Sequence, residues 1–378
     1  MADPDPRTES GRFAEKCECK HCYFIKRILI PEMVHGRYFC EPGSREFVEL
    51  DSVDDVEHLD RNSENAIRRV TARVKFSGVT CSFPLIIKLL EHSETAPSGP
   101  FLNEEMFYSK MTLNYGTDGV PKCYVSDLGR FDCQAVIVLE DLTASGYAQV
   151  DEKLDEDHLK LCMKALATFH GKGLKLKADQ FPIFREFYAK LYEPIDWLHL
   201  NTSPGGVRTS KVAMRSSLDN PERSDASLDS VLPVEAILSE KIRAKQSTMT
   251  KLEFNDLWTV CHGNFTRSNL LFKYEDGCLS DVKIIDWSTM TYCSPSIDFG
   301  HVLLENLPDD NNLPEVETFC QKMLKIYLDA VEDEYSEVDR ELLERDIIAT
   351  LPFAYGMIDN RRKTGVMLHA LDQLGSFD

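Results

Sequence analysis

The stretch LLFKYEDGCLSDVKIID (270–286) limits the possible folds of this chain more than any other. It reads as two short strands joined at Glu275-Asp276-Gly277, an Asp-Gly hairpin signal. In an antiparallel hairpin the start of the first strand lies beside the end of the second. Asn269 precedes the first strand and Asp286 closes the second, so their oxygen-bearing side chains are expected to meet at one end. An amide oxygen plus a carboxylate is a hard-oxygen set suited to Mg²⁺ that also takes substrate phosphates and water. Just upstream, CHGNFTRSN (261–269) has the look of an active-site loop, yet it carries the amide Asn264 where a carboxylate is usual.

The rest of the chain divides by period. In RRVTARVKF, Val70, Ala72, Val74 and Phe76 alternate with Arg69, Thr71, Arg73 and Lys75, the pattern of a half-buried strand. FPLIIKLL (83–90) predicts a second strand, with Lys88 set in an apolar run. EEMFYSKM (104–111) predicts a helix; KCYVSDL and AVIVLEDL (135–142) predict two more strands. DEDHLKLCMKALATFHG predicts a helix capped by Asp155, with Leu159, Cys162, Leu166 and Phe169 on one face, His170 near its end and Gly171 as its stop. Residues 201–230 are rich in Ser, Asn, Pro and Gly and predict an exposed insertion. Helices are expected near 234–252, and again where Phe319, Met323, Ile326 and Ala330 share a face. The expectation is α+β: a loosely ordered arm (1–25), a strand-rich lobe (26–142) and a larger helical lobe carrying the hairpin (143–378).

Composition narrows the function classes. The net charge of −20 over 378 residues argues against sequence-independent nucleic-acid binding, which needs Lys and Arg to neutralise phosphates. No apolar run approaches a membrane span, and the N-terminal residues have no apolar stretch resembling a secretory signal, so a cytoplasmic protein is expected. The 12 cysteines are then read as thiols. CECKHC groups Cys17, Cys19, His21 and Cys22, with His35 and Cys40 as further candidates. The spacing is not that of paired C-x-x-C motifs, so the reading is free thiols on an arm, with structural zinc as the alternative.

These segments together resemble the choline kinase and aminoglycoside phosphotransferase superfamily, and within it the ecdysteroid-kinase-like (CHK-kinase-like) group, over roughly residues 40–360. His262-Gly263-Asn264…Asn269 is similar to the family's HGD loop, in which an Asn follows five residues after the Asp. Ile285-Asp286-Trp287 is similar to its metal motif, and SPSIDFG (294–300) to the segment whose Asp, here Asp298, acts as a buttress. FLNEEMFY, VLEDL (138–142) and LATFHG match its helix, its linker between lobes and its FH helix.

The resemblance implies a bilobal protein-kinase-like fold and transfer of phosphate from ATP, with Mg²⁺, to a steroid-like or other small hydroxylated molecule. It places Asn264 at the base position, His262 as a structural loop residue, Lys88 on the nucleotide phosphates with Glu105 as its helix partner, and Glu140 and Leu142 at the cofactor-binding linker. Asn269 and Asp286 become the metal pair. Two departures bear on competence. The family's catalytic Asp is Asn264, and HLDRNSENAIRRV (58–70) lacks the Gly-bearing turn expected before its strand. The alternatives are an impaired, pseudokinase-like protein that binds nucleotide or a small apolar ligand, and an interaction scaffold.

Overall fold

The computed structural model describes residues 19–59, 65–90, 99–192, 255–308, 313–355, 371 and 374–376. The expected insertion at 201–230 and the helices near 234–252 lie outside the described residues, as do Cys17 and residues 60–64.

The first half is built on an antiparallel sheet. β1 (Val48–Val53), β3 (Asn65–Phe76), β4 (Val79–Leu90), β6 (Gln134–Glu140) and β5 (Cys123–Phe131) lie side by side in that order, and β2 (Glu57–His58) pairs with β3. β3 and β4 form a long ladder that runs from Asn65 opposite Leu90 to Phe76 opposite Val79. The period-two alternation splits β4 between two cores. Leu85, Ile87 and Leu89 face a cluster with Ile25, Leu29 and Met33, whereas Leu90 packs with Phe101 and Phe107. Lys88 is therefore not embedded in an apolar strand; it shares the second face, toward the helix that follows.

The chain is helical earlier than expected. α1 (Lys20–Phe24), a π turn (Ile25–Leu29) and α2 (Ile30–His35) run without a break, and Ile25, Leu29, Ile30 and Met33 are fully buried on the sheet. The polar group CECKHC hides this in the sequence, because the apolar face begins only at Phe24. α3 (Gly99–Met106) continues through a π turn (Phe107–Met111) into α4 (Thr112–Tyr115).

The second half is mainly helical. α5 (Glu156–Asp179) is capped by Asp155, whose carboxylate accepts from the Asp157 and His158 backbone. Gly171 does not stop it. A Cβ there would lie 2.8 Å from Glu334 Cβ, so this glycine lets α5 approach α8 (Leu313–Glu334). α6 (Phe181–Tyr188), α7 (Ser296–Glu305) and α9 (Arg340–Tyr355) complete the described helices. The hairpin forms as expected, with β9 (Leu270–Glu275) antiparallel to β10 (Cys278–Ile284), extended by β7 (Tyr147–Ala148). β8 (Thr259–Cys261) pairs with β11 (Thr291–Cys293), which brings the two ends of the 261–291 segment together. Among the described residues, no helix is long and apolar enough to cross a membrane.

Candidate active site

The site begins with hairpin register. Leu270 stands opposite Ile284, so the next residues outward, Asn269 and Ile285, meet, and the Ile285 N–H donates to the Asn269 carbonyl at 3.0 Å. Asn269 and Asp286 thus share one end of the hairpin. The Asn269 side-chain amide donates to the Asn264 carbonyl at 2.9 Å, which closes the loop between them. Asp286 lies two residues past β10, in the left-handed region at φ 65° and ψ 71°. Asp tolerates that conformation better than most residues. Trp287 follows and is buried, stacked on Phe107 at 3.8 Å between ring centroids, and this anchors the strained residue.

Lys88 reaches this point from β4. Its Nζ donates to both Glu104 oxygens at 2.7 Å and lies 3.6 Å from Asp286 Oδ1. Burial works against the Lys88 ammonium, but the Glu104 and Asp286 carboxylates override it and place its pKa above the ordinary lysine value. Burial also pushes Asp286 up, and Lys88, Ser288 and His262 outweigh it, so this carboxyl stays below its usual range. Asp286 keeps 40% of its side chain exposed whereas Lys88 keeps 13%, so the carboxylate is the solvent-facing member of the group.

The helix partner of Lys88 is Glu104, not Glu105 as expected. Adjacent helical residues point about 100° apart, and only tertiary packing decides which faces the sheet. Glu105 is half-buried and its carboxylate lies beside Ser109, while its backbone carbonyl accepts from Ser126 Oγ on β5 at 3.1 Å. Glu104→Gln should lower unfolding free energy by roughly 1–3 kcal/mol, since it removes a charged acceptor from a buried ammonium. Glu105→Gln should stay within about 0.5 kcal/mol. Urea denaturation of the two variants checks the assignment; equal effects would contradict it.

Asn103 was not singled out by sequence reasoning. Its side-chain amide donates to the Ser288 and Met290 carbonyls at 3.1 and 3.2 Å, and its Oδ1 accepts from the Tyr192 N–H at 2.9 Å. It ties α3 to the turn that follows Asp286. An asparagine before two glutamates carries no sequence signal of that role. Of the linker residues, Glu140 accepts the Lys122 N–H on its carboxylate at 2.8 Å and donates its own N–H to the Lys122 carbonyl. Leu142 is buried. Between them Asp141 caps the next turn and accepts from Arg69 Nε at 2.7 Å.

The catalytic-type loop hangs on Asp298. Its buried carboxylate accepts the His262 N–H at 2.6 Å, the Gly263 N–H at 2.8 Å and a bond from His170 Nε2 at 3.1 Å. Burial disfavours its charge, but the bond from His170 and the neighbouring histidines hold it below the usual carboxylate range. His170 sits mid-helix rather than at a helix end, and its other nitrogen bonds Tyr327 at 2.7 Å. His262 Nε2 donates to the Ile285 carbonyl at 3.0 Å, joining loop to hairpin, and burial lowers its pKa. Gly263 has φ 81°, and a Cβ there would meet the Thr289 carbonyl oxygen at 2.0 Å, so only glycine fits. Asn264 uses its backbone in the loop: its N–H donates to His262 Nδ1 at 3.3 Å and its carbonyl accepts the Thr266 N–H at 2.9 Å. Its side chain takes no part in these bonds and is partly exposed.

His301, on α7, is buried near Asp298 with Nδ1 unpartnered among the described residues. Burial pushes its pKa down to about 4 from 6.5. The unfolded chain therefore binds the proton first. The stability that follows is intact above pH 6.5 and is lost as pH falls toward 4, up to about 3 kcal/mol. His301→Leu should flatten the stability profile in that window, as measured by urea denaturation across pH. An unchanged slope would contradict it.

Residues 66–339 match the ecdysteroid kinase-like family, well over half of the chain. This chain belongs to the ecdysteroid kinase-like family. Solved structures with a similar fold include an aminoglycoside phosphotransferase from Alicyclobacillus acidocaldarius, 14% identical, with 86% of this chain and 89% of that one covered at a TM-score of 0.41. Another is the GDP complex of aminoglycoside 2'-phosphotransferase-IIIa, 14% identical, with 86% and 93% covered at a TM-score of 0.40. A third is the choline kinase LicA from Streptococcus pneumoniae, 16% identical, with 86% and 94% covered at a TM-score of 0.35. A search of curated proteins gave no match.

Proposed function

We propose that this member of the ecdysteroid kinase-like family binds a Mg²⁺–nucleotide, ATP by resemblance, in the cleft at Lys88, Asn269 and Asp286, and transfers phosphate slowly to a hydroxylated small molecule. The observation that carries the reading is the joint placement of Lys88, Glu104 and Asp286. A buried ammonium held by one carboxylate and aimed at a second, solvent-facing carboxylate is a poor device for stability alone. It suits a site that receives phosphate oxygens and a cation. The donor chemistry fits Mg²⁺, since an amide oxygen and an ionised carboxylate share the hairpin end with no sulfur ligand between them. When bound, the metal nucleotide supplies the phosphoryl group and offsets its charge.

The chain's own residues then have separable tasks. Lys88 holds phosphate oxygens, and Glu104 keeps that ammonium in place. Asp298 and His262 fix the loop, and Asn264 faces the acceptor hydroxyl. A neutral amide orients a hydroxyl but accepts its proton poorly, so transfer is expected to be slow rather than absent. A steroid-like alcohol is the acceptor class we favour. The second reading, nucleotide binding without transfer, rests on the same Asn264.

Single-turnover transfer from labelled ATP to a panel of steroid and non-steroid alcohols, at saturating Mg²⁺, tests this. A slow, acceptor-dependent product supports the kinase. Nucleotide binding with no product from any alcohol supports the second reading.

A further inference from the structure

A second cluster of metal-ligating side chains lies on the opposite face of the sheet from Lys88. Cys19 and Cys22 open α1, and His58 ends β2, 36 residues beyond Cys22. His58 Nε2 stands 3.4 Å from Cys22 Sγ and 3.7 Å from Cys19 Sγ, and the two sulfurs are 2.9 Å apart. We propose that Cys19, Cys22 and His58 form a zinc site that clasps the N-terminal helix to the β2–β3 edge of the sheet.

Four observations converge on it. Cys19 and Cys22 have the C-x-x-C spacing that lets one turn present two thiolates to one ion. Zinc bonds of ~2.3 Å to sulfur and ~2.0 Å to nitrogen at tetrahedral angles place ligand atoms roughly 3.5–3.8 Å apart. Both nitrogen–sulfur separations are close to that, and the sulfurs need to spread by under about 1 Å. The Cys22 N–H donates to Cys19 Sγ at 3.3 Å, which favours a thiolate there. The histidine is not a chance neighbour, because β2 is held in register on β3, with His58 opposite Arg68 and the Leu59 N–H on the Ile67 carbonyl.

Two thiolates neutralise one Zn²⁺. Binding releases the thiol protons to solvent and involves no change of oxidation state. A fourth position is left to water or another donor. His21 belongs elsewhere, since its Nδ1 accepts from Arg68 at 3.2 Å. The proposal takes the zinc alternative over the reading of free thiols on an arm. His58 was invisible in the sequence because it sits on β2, 36 residues beyond Cys22. The clasp holds the β2 end of the β2–β3 pair.

The test is zinc content and affinity of the full-length protein, purified under reducing conditions without chelator. About one zinc per chain is expected, with a fall in melting temperature on chelation that added zinc reverses. Cys19→Ser, Cys22→Ser and His58→Ala should each weaken zinc at least roughly tenfold. His58→Cys should retain it, and Cys81→Ser, an exposed thiol on β4, should change nothing. If a cysteine variant does not fold, the two His58 variants decide. Zinc below a tenth of an equivalent, unchanged zinc in His58→Ala, or a Cys19–Cys22 disulfide found by alkylation and mass measurement would overturn the proposal.

Discussion

Asn264→Asp is expected to raise the single-turnover rate of phosphate transfer by roughly 10²–10⁴-fold, the usual contribution of a positioned base. The substitution changes one side-chain atom. The loop geometry does not depend on that atom, because Asn264 contributes only its N–H and carbonyl to the loop. The anchors around it, Asp298, His262 and Asn269, stay in place. A carboxylate restored there accepts the acceptor proton that an amide cannot. A gain at the low end would point to the glycine-free 58–70 segment as a second defect. Rapid-quench measurement at saturating Mg²⁺ compares the two proteins. A wild-type protein that transfers phosphate at ordinary kinase rates and is slowed by Asn264→Asp would show that another group is the base.

Asp298→Ala is expected to lower unfolding free energy by roughly 3–5 kcal/mol. It strands the buried His262 and Gly263 N–H groups, each costing about 1–3 kcal/mol, and removes a partner of His170. Asp298→Asn should rescue little, because its amide NH₂ would face a donor. Equilibrium urea unfolding measures both. A loss below about 1 kcal/mol for Asp298→Ala would mean that the loop is held elsewhere.

The parts legible in the sequence are those set by short-range pattern. Alternation marked β3 and β4, Asp276-Gly277 marked the hairpin, and the hairpin's geometry placed Asn269 beside the Asp286 segment. Asp155 announced the start of α5. The parts that were not legible depend on three-dimensional packing. Gly171 reads as a helix stop, but its use is the close approach of α8. Glu104 and Glu105 are indistinguishable until α3 is laid against β4. Asn103 acquires its role from carbonyls nearly two hundred residues away, and His58 from two sulfurs on another element. Residues 20–25 were expected in a loose arm and 26–35 at the head of a strand-rich lobe, because the polar residues of this helix come first and its buried face later.

The central claim is that the cleft binds a metal nucleotide through Asp286. Thermal denaturation and titration calorimetry with Mg²⁺–ATP, on wild type and Asp286→Asn, test it most directly. Asn keeps the tolerance for a left-handed backbone and removes only the charge. Wild type should be stabilised by about 2.7 kcal/mol at a ligand concentration 100 times its Kd, with the effect lost when Mg²⁺ is withheld. Asp286→Asn should melt normally without ligand and respond at least tenfold more weakly to it. A wild-type protein with no response at millimolar Mg²⁺–ATP, or an Asp286→Asn variant that responds equally, would contradict the account.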